Sequence, residues 1–228
     1  MADTPARDPF DLPDVSGLTI GVIGGTGDQG RGLAYRWATS GLAVLIGSRD
    51  EARAAAAASD IGMGVRGMGN AECAEAADVV LIAVPWAGHD ATIASLAPHL
   101  AGKVVIDCVN PLGFDKQGAY VLEVAEGSAS QRAAALLPES TVVGAFHNVS
   151  AVALSDAAKA EVAGDVLVLG DKRDATDLVQ ALAGRIPGMR GVYAGRLRNA
   201  RQIEGLTANL IAMNRRYKAH ASIRVTDV

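Results

Sequence analysis

Apolar residues in this chain gather into short, nearly continuous runs, separated by stretches with helical spacing. Leu18 to Ile23 is the first run. A glycine-rich turn follows, then a helical stretch from Gly27 to Ser40 that Gly41 closes where a left-handed cap is favoured. Ala43 to Ile46 predicts a second strand, and the alanine-rich Asp50 to Ser59 a second helix. Gly62 to Gly69 holds too much glycine for a helix and predicts a short strand around Val65. Asn70 can cap a short helix to Ala77. Asp78 to Val84 and Lys103 to Cys108 read as strands buried on both faces, with a helix from Ala87 to Leu100 between them. Asn110 to Tyr120, with Pro111, Gly113 and Gly118, reads as a loop. Ser128 to Leu137 predicts a helix and Thr141 to Phe146 a strand. This alternation specifies the α/β class: a Rossmann-type, doubly wound, mainly parallel sheet.

Beyond His147 the pattern loosens. Val152 to Ala163 and Asp174 to Ala183 predict helices, Asp165 to Leu169 and Gly188 to Ala194 strands. Leu197 to Lys218 is a long helical stretch with Ile203, Leu206, Leu210, Ile211 and Met213 near helical spacing. The expected division is a flexible tail over 1–17, a nucleotide-binding domain over 18–147, and a smaller C-terminal domain over 148–228. The last would close a cleft or pack against a second copy.

Half of the 228 residues are apolar and 20% are charged, as in a soluble globular protein. No apolar run reaches the roughly 18 residues of a membrane span, and the start lacks the basic and apolar regions of a secretory signal. The two cysteines, Cys73 and Cys108, form neither a disulfide framework nor a zinc set, so a reducing cytoplasm is expected. The net charge of −4 hides an asymmetry: Arg185 to Val228 carries nine Lys/Arg against two acids. Such an end suits an anionic ligand or a solvated helix face; without interleaved aromatics it does not suit nucleic acid.

The glycine turn carries the first chemistry. Gly25, Gly27 and Gly30 stand in the GxGxxG spacing, after a strand and at the start of a helix. Gly25 would allow the tight turn, Gly27 the approach of a pyrophosphate, and Gly30 close packing of helix on sheet. Thr26, Asp28 and Gln29 sit where backbone and side chains reach the ligand, with Asp28 pointing to solvent. About 20 residues on, an NAD site usually carries an acid. This chain has Ser48-Arg49, with Arg53 one helical turn further. A hydroxyl and two guanidiniums suit a 2′-phosphate and select NADP(H).

Acid–base groups are scarce. No Tyr stands four residues before a Lys, and no catalytic zinc set is present. His99 falls late in a helix at the surface, and His89 and His220 have no evident partner. His147 follows a buried strand at its C-terminal end, the edge where open α/β sheets bind ligands. It is read as a positioning residue, with a catalytic role the lesser alternative. Phe146 to Ala151, Val84-Pro85-Trp86 and Val109-Asn110-Pro111 would line the nicotinamide end. Apolar walls with few proton carriers fit hydride exchange between two flat rings, which needs orientation more than proton relay.

These stretches resemble the F420-dependent NADP reductases (NADPH:coenzyme F420 oxidoreductases). The likeness rests on Gly24 to Gly30, Gly47-Ser48-Arg49 with Arg53, Val84-Pro85-Trp86, Phe146-His147-Asn148-Val149, and Asn199-Ala200-Arg201 through Glu204-Gly205-Leu206-Thr207. It implies hydride transfer between nicotinamide C4 and C5 of an 8-hydroxy-5-deazaflavin, in a homodimer. It implies NADP contacts at Thr26 to Gln29, Ser48, Arg49 and Arg53. Val84, Val149 and Ala151 would stand near the nicotinamide, as would Val109, and His147 near the deazaflavin. The family's coenzyme carries a phosphate and a glutamate tail, which the basic Arg185 to Arg224 stretch could attract. Two alternatives stay open: an NADPH-dependent reductase of another small acceptor (imine, flavin or ferric chelate), and an NADP(H) sensor without turnover.

Overall fold

The computed structural model describes residues 8–228. Ten strands and eight helices follow the alternating pattern. They are β1 (Thr19–Ile23), α1 (Asp28–Thr39), β2 (Ala43–Ser48), α2 (Glu51–Ile61), β3 (Arg66–Gly69), α3 (Asn70–Ala76), β4 (Val79–Ile82), α4 (His89–Leu100) and β5 (Val104–Asp107), then β6 (Leu112–Asp115), β7 (Gly118–Val121), α5 (Ala129–Leu136), β8 (Thr141–Gly144), α6 (Ala151–Ser155), β9 (Gly164–Leu169), α7 (Arg173–Gly184), β10 (Met189–Gly195) and α8 (Ala200–Tyr217). Eight strands form one sheet in the order β10-β9-β8-β5-β4-β1-β2-β3. Every neighbouring pair is parallel except β8 and β9, which meet antiparallel through Gly144 and Leu169 alone. No helix among the described residues is long and apolar enough to cross a membrane.

The sheet buries both faces. On one, Trp37, Phe146, Val166, Val168 and Leu182 belong to a single cluster; on the other, Ile23, Ile82, Ile93, Leu100 and Val105 do. The expected joint at 147/148 falls at the thinnest pairing in the sheet, yet the first cluster runs across it. The Trp37 ring meets Phe146 edge-on at 5.4 Å, and its Nε1 donates to the Leu182 carbonyl at 3.0 Å. Residues 148–228 thus extend the sheet of 18–147 and share its core.

Four local expectations change. Residues 1–7 of the expected tail lie outside the described residues, while Val15 is buried in the core and orders what surrounds it. The expected loop Asn110–Tyr120 contains the antiparallel hairpin β6–β7. Its turn is set by Asp115, whose Oδ1 accepts from the N–H groups of Gln117 (2.7 Å) and Gly118 (3.1 Å). The helix expected over Val152 to Ala163 stops at Ser155, because Arg36 takes the carbonyls that would have continued it. Asn70, expected as a cap, is the first helical residue of α3 and makes no capping bond.

Candidate active site

The C-terminal ends of β1, β2 and β4 open onto a cleft of about 870 Å³. Thr26, Gly27, Ser48, Arg49, Arg53 and Val84, six of the residues singled out by sequence, line it. The residue with left-handed backbone in the turn is Gly24 (φ +81°), not Gly25. A Cβ on Gly24 would lie 2.5 Å from the Ala83 carbonyl oxygen, so the turn from β1 tolerates only glycine there. Gly25 and Gly30 build the turn rather than line the cleft. A Cβ on Gly30 would sit 2.8 Å from the Gly24 oxygen, so its absence lets α1 start directly on the turn. Gly27 is exposed and Asp28 faces solvent, as expected. No side chain caps α1, which leaves its first-turn N–H groups and positive dipole end to an anion.

The cleft fits a phosphorylated dinucleotide. Arg49 and Arg53 are exposed on its rim with no carboxylate partner among the described residues. The Ser48 hydroxyl accepts the Asp50 N–H at 3.1 Å, which shapes the start of α2 below them. Asn70 Oδ1 is buried without a hydrogen-bond partner and its residue lines the same cleft, so an acceptor waits there for a ligand donor. The volume falls within the roughly 300–1,000 Å³ of small-molecule and cofactor sites.

Val84, half-buried, and Val109, buried, stand at the ends of the neighbouring strands β4 and β5. His147, Val149 and Ala151 line a second, smaller cavity of about 200 Å³, between the loop after β8 and helix α8. Leu210 and Ile211 give it an apolar wall and Asn214 a polar one. Nine of the predicted residues are thus divided between two cavities, and Gly25, Asp28, Gln29, Gly30 and Val109 line neither. Gln29 is the link: its Nε2 donates to the Phe146 carbonyl at 3.2 Å.

His147 is 2% exposed and held on every side. Its Nδ1 lies 3.1 Å from Asn110 Oδ1, and its carbonyl accepts from Asn110 Nδ2 (3.1 Å) and Thr207 Oγ1 (2.8 Å). Its Nε2 faces Ser130 Oγ at 3.5 Å. Ser130 Oγ in turn donates to the buried Glu204 at 2.9 Å, and the Glu204 carboxylate accepts the N–H groups of Ala129 and Ser130 at the start of α5. The ring is thus tied to the loop after β5 through Asn110 and faces the start of α5 at Ser130.

Sequence reasoning missed several groups. His89 has a partner: its Nε2 lies 2.6 Å from Asp107 Oδ2, with both side chains wholly buried. The available signal was an aspartate ending an apolar strand. Glu204 was visible as one of only two acids within the basic end. That end is also less uniform than its composition suggests. Arg190 pairs twice with Asp165 (2.9 and 2.7 Å), Arg185 donates to the Ser40 carbonyl, and Arg196 lies 3.8 Å from Asp171. Arg215 and Arg216 in the last turn of α8, with Lys218 after it, stay exposed near the second cavity.

The chain is similar to known reductases. The family model "NADP oxidoreductase coenzyme F420-dependent" matches residues 19–111. The F420-dependent NADP reductase of Methanothermobacter marburgensis is 41% identical over 223 residues, covering 92% of this chain and 99% of that protein. The reductase of the same description from Methanocaldococcus jannaschii is 34% identical with the same coverage. Among solved structures, a candidate F420-dependent NADP reductase from Arthrobacter sp. FB24 superposes with a TM-score of 0.77 at 26% identity, covering 92% of this chain and all of that one.

Proposed function

The chain belongs to the F420-dependent NADP reductases, and from that premise we infer that it is an oxidoreductase moving hydride between NADP(H) and coenzyme F420. The large cleft is our NADP(H) site and the smaller cavity our deazaflavin site. The observation that carries this reading is the meeting, at one sheet edge, of an uncapped helix start with two unpaired arginines. When both are bound, nicotinamide C4 supplies or takes the hydride and deazaflavin C5 is its counterpart.

The chain's own residues bind and orient. The first-turn N–H groups of α1 hold the pyrophosphate, and Ser48, Arg49 and Arg53 hold the 2′-phosphate. Val84, backed by Val109, walls the nicotinamide and excludes water. Val149 and Ala151, expected beside the nicotinamide, line the smaller cavity and are assigned instead to the deazaflavin, while Asn110 and His147 fix the loop between the rings. Residues 148–228 act as the half that completes the deazaflavin cleft. Arg215, Arg216 and Lys218 attract the anionic tail of the coenzyme. A tail-less deazaflavin with unchanged KM and unchanged salt dependence would remove that last role.

Two further readings go with this function. The hairpin exposes Phe114, Tyr120 and Val121, and packs on α8, which exposes Met213 and Tyr217. That supports a homodimer through this face, testable by light scattering at assay concentration; a monomer there would count against it. Two buried free thiols, that of Cys73 pushed up to about 12 by burial, support a cytoplasmic location, testable by fractionation. The function itself is tested by mixing the protein, NADPH and oxidised F420 and following loss of the deazaflavin absorbance. Turnover with an imine or flavin alone would replace this acceptor, and NADPH binding with no turnover would indicate a sensor.

A further inference from the structure

Asp107 and His89 are wholly buried, and neither lines either cavity. Asp107 is the last residue of β5. Its Oδ2 meets His89 Nε2 at 2.6 Å, its Oδ1 accepts the Val109 N–H at 2.9 Å, and its carbonyl accepts the Ala145 N–H at 3.0 Å. One residue therefore ties three segments together. They are the turn after β4, which ends at His89; the loop after β5, which begins with Cys108 and Val109; and the segment leading into His147.

His89 opens α4 directly after the tight turn Trp86–Gly88, with its ring 5.2 Å from that of Trp86. Its Nδ1 faces Asp90 Oδ1 at 3.3 Å. Asp90 is gripped by Arg132 through Nε (3.0 Å) and Nη2 (2.9 Å), and Arg132 also reaches Glu126 at 2.6 Å. Both imidazole nitrogens thus face carboxylates, which raise the ring's pKa against the opposing effect of burial. Packing alone does not call for such a pair. An apolar replacement of a buried ion pair is often neutral or stabilising, because desolvation offsets the attraction. Directed hydrogen bonds supply what apolar contact does not: a fixed distance between two backbone segments.

We propose that Asp107 and His89 are positioning residues for the nicotinamide. They set the position of Val84, which lines the cleft on the turn that His89 ends, against Val109, buried in the apolar cluster behind it on the loop that Asp107 holds. That position fixes the angle at which the nicotinamide presents C4. The proposal rests on the reading of the large cleft as the NADP(H) site.

Two variants of the full chain test it, His89→Leu and His89→Gln; the glutamine amide can still donate to Asp107. NADPH affinity is read from the coenzyme's fluorescence. Affinity for adenosine 2′,5′-bisphosphate, which carries the 2′-phosphate but no nicotinamide, is read by calorimetry. Hydride transfer to oxidised F420 is followed in a single turnover. In His89→Leu the transfer rate falls about 10- to 100-fold, as expected for a ring displaced by about an ångström. NADPH binding weakens, bisphosphate binding does not change, and His89→Gln recovers most of the rate. Wild-type NADPH affinity and rate in His89→Leu would overturn the proposal. So would parallel weakening of both ligands, which marks a general loosening of the fold. If the wild-type protein itself neither binds NADPH nor reduces F420, the functional reading fails first and takes the proposal with it.

Discussion

The side chain of Gln29 donates to the Phe146 carbonyl at 3.2 Å across 117 residues of sequence. Gln29 stands in the first turn of α1, the helix whose uncapped start opens on the large cleft. Phe146 holds a left-handed backbone (φ +63°), uncommon for a bulky side chain, and its ring is wholly buried against Trp37. The next residue is His147. One hydrogen bond therefore couples the glycine-turn end of one cavity to the wall of the other.

Gln29→Leu removes that bond with little change of volume. A part-buried hydrogen bond is worth about 0.5–1.5 kcal/mol. The hydride-transfer rate is expected to fall by up to about tenfold, with NADPH affinity nearly unchanged. Stopped-flow absorbance separates the two quantities. A loss confined to NADPH affinity would show that Gln29 serves the phosphates instead.

Arg49 and Arg53 are exposed on the rim of the cleft and have no carboxylate partner among the described residues, so their charges are available to a ligand. A charge-assisted hydrogen bond contributes about 1.5–3 kcal/mol. Arg49→Ala should raise KM for NADPH by about 10- to 100-fold and leave KM for NADH almost unaltered. Steady-state kinetics with both coenzymes decide it, and equal effects would sink the assignment of the 2′-phosphate site.

Arg36 is 3% exposed and has no carboxylate among the partners of its guanidinium. It donates to four carbonyls: Ala153 (3.2 Å), Leu154 (2.8 Å), Asp156 (2.7 Å) and Lys159 (2.8 Å). The Ala153 and Leu154 carbonyls are orphan acceptors in the last turn of α6, whose start carries Ala151, and those of Asp156 and Lys159 lie in the turn beyond it. Arg36→Met leaves the Ala153 and Leu154 carbonyls buried and unsatisfied, at about 1–3 kcal/mol for each group that water cannot reach. Thermal unfolding should show Tm lower by roughly 6–12 °C. Arg36→Lys should recover little, since an ammonium lacks the planar fork. A Tm within error of the wild type in Arg36→Met would refute the clamp.

His89 gives stability a pH dependence of known sign. Burial pushes its pKa down, but the Asp107 and Asp90 carboxylates outweigh this and hold it above the ordinary 6.5. A raised pKa in the folded state adds stability that is complete below the unfolded value and is lost as pH rises through the folded value. Tm should therefore decline as pH rises from about 6.5. In Asp107→Asn, with the partner's charge removed, that decline should flatten. An unchanged alkaline slope in the variant would assign the effect to other groups.

Much of the nucleotide half was written locally. The run into Gly24, the glycine spacing, and the Ser48-Arg49 pair at the end of β2 all depend on neighbours within one βαβ unit, and the buried strands announced themselves as continuous apolar runs. The structure alone decided what depends on distant partners. The hairpin β6–β7 was hidden because four-residue strands rich in glycine carry no clear period, and the turn bond that fixes them comes from one aspartate. Helix α6 was shortened by an arginine 115 or more residues earlier in the chain. The antiparallel entry of β9 and the continuous core across Phe146 are set by packing against Trp37 and α7, which no local pattern reports. The partner of His89 lay 18 residues away on the neighbouring strand. The sequence by itself determined the fold class and the family, because those rest on short-range geometry and residue type. Only the tertiary structure decided which buried charges hold the walls of the two cavities, because burial and pairing are properties of segments brought together by the sheet.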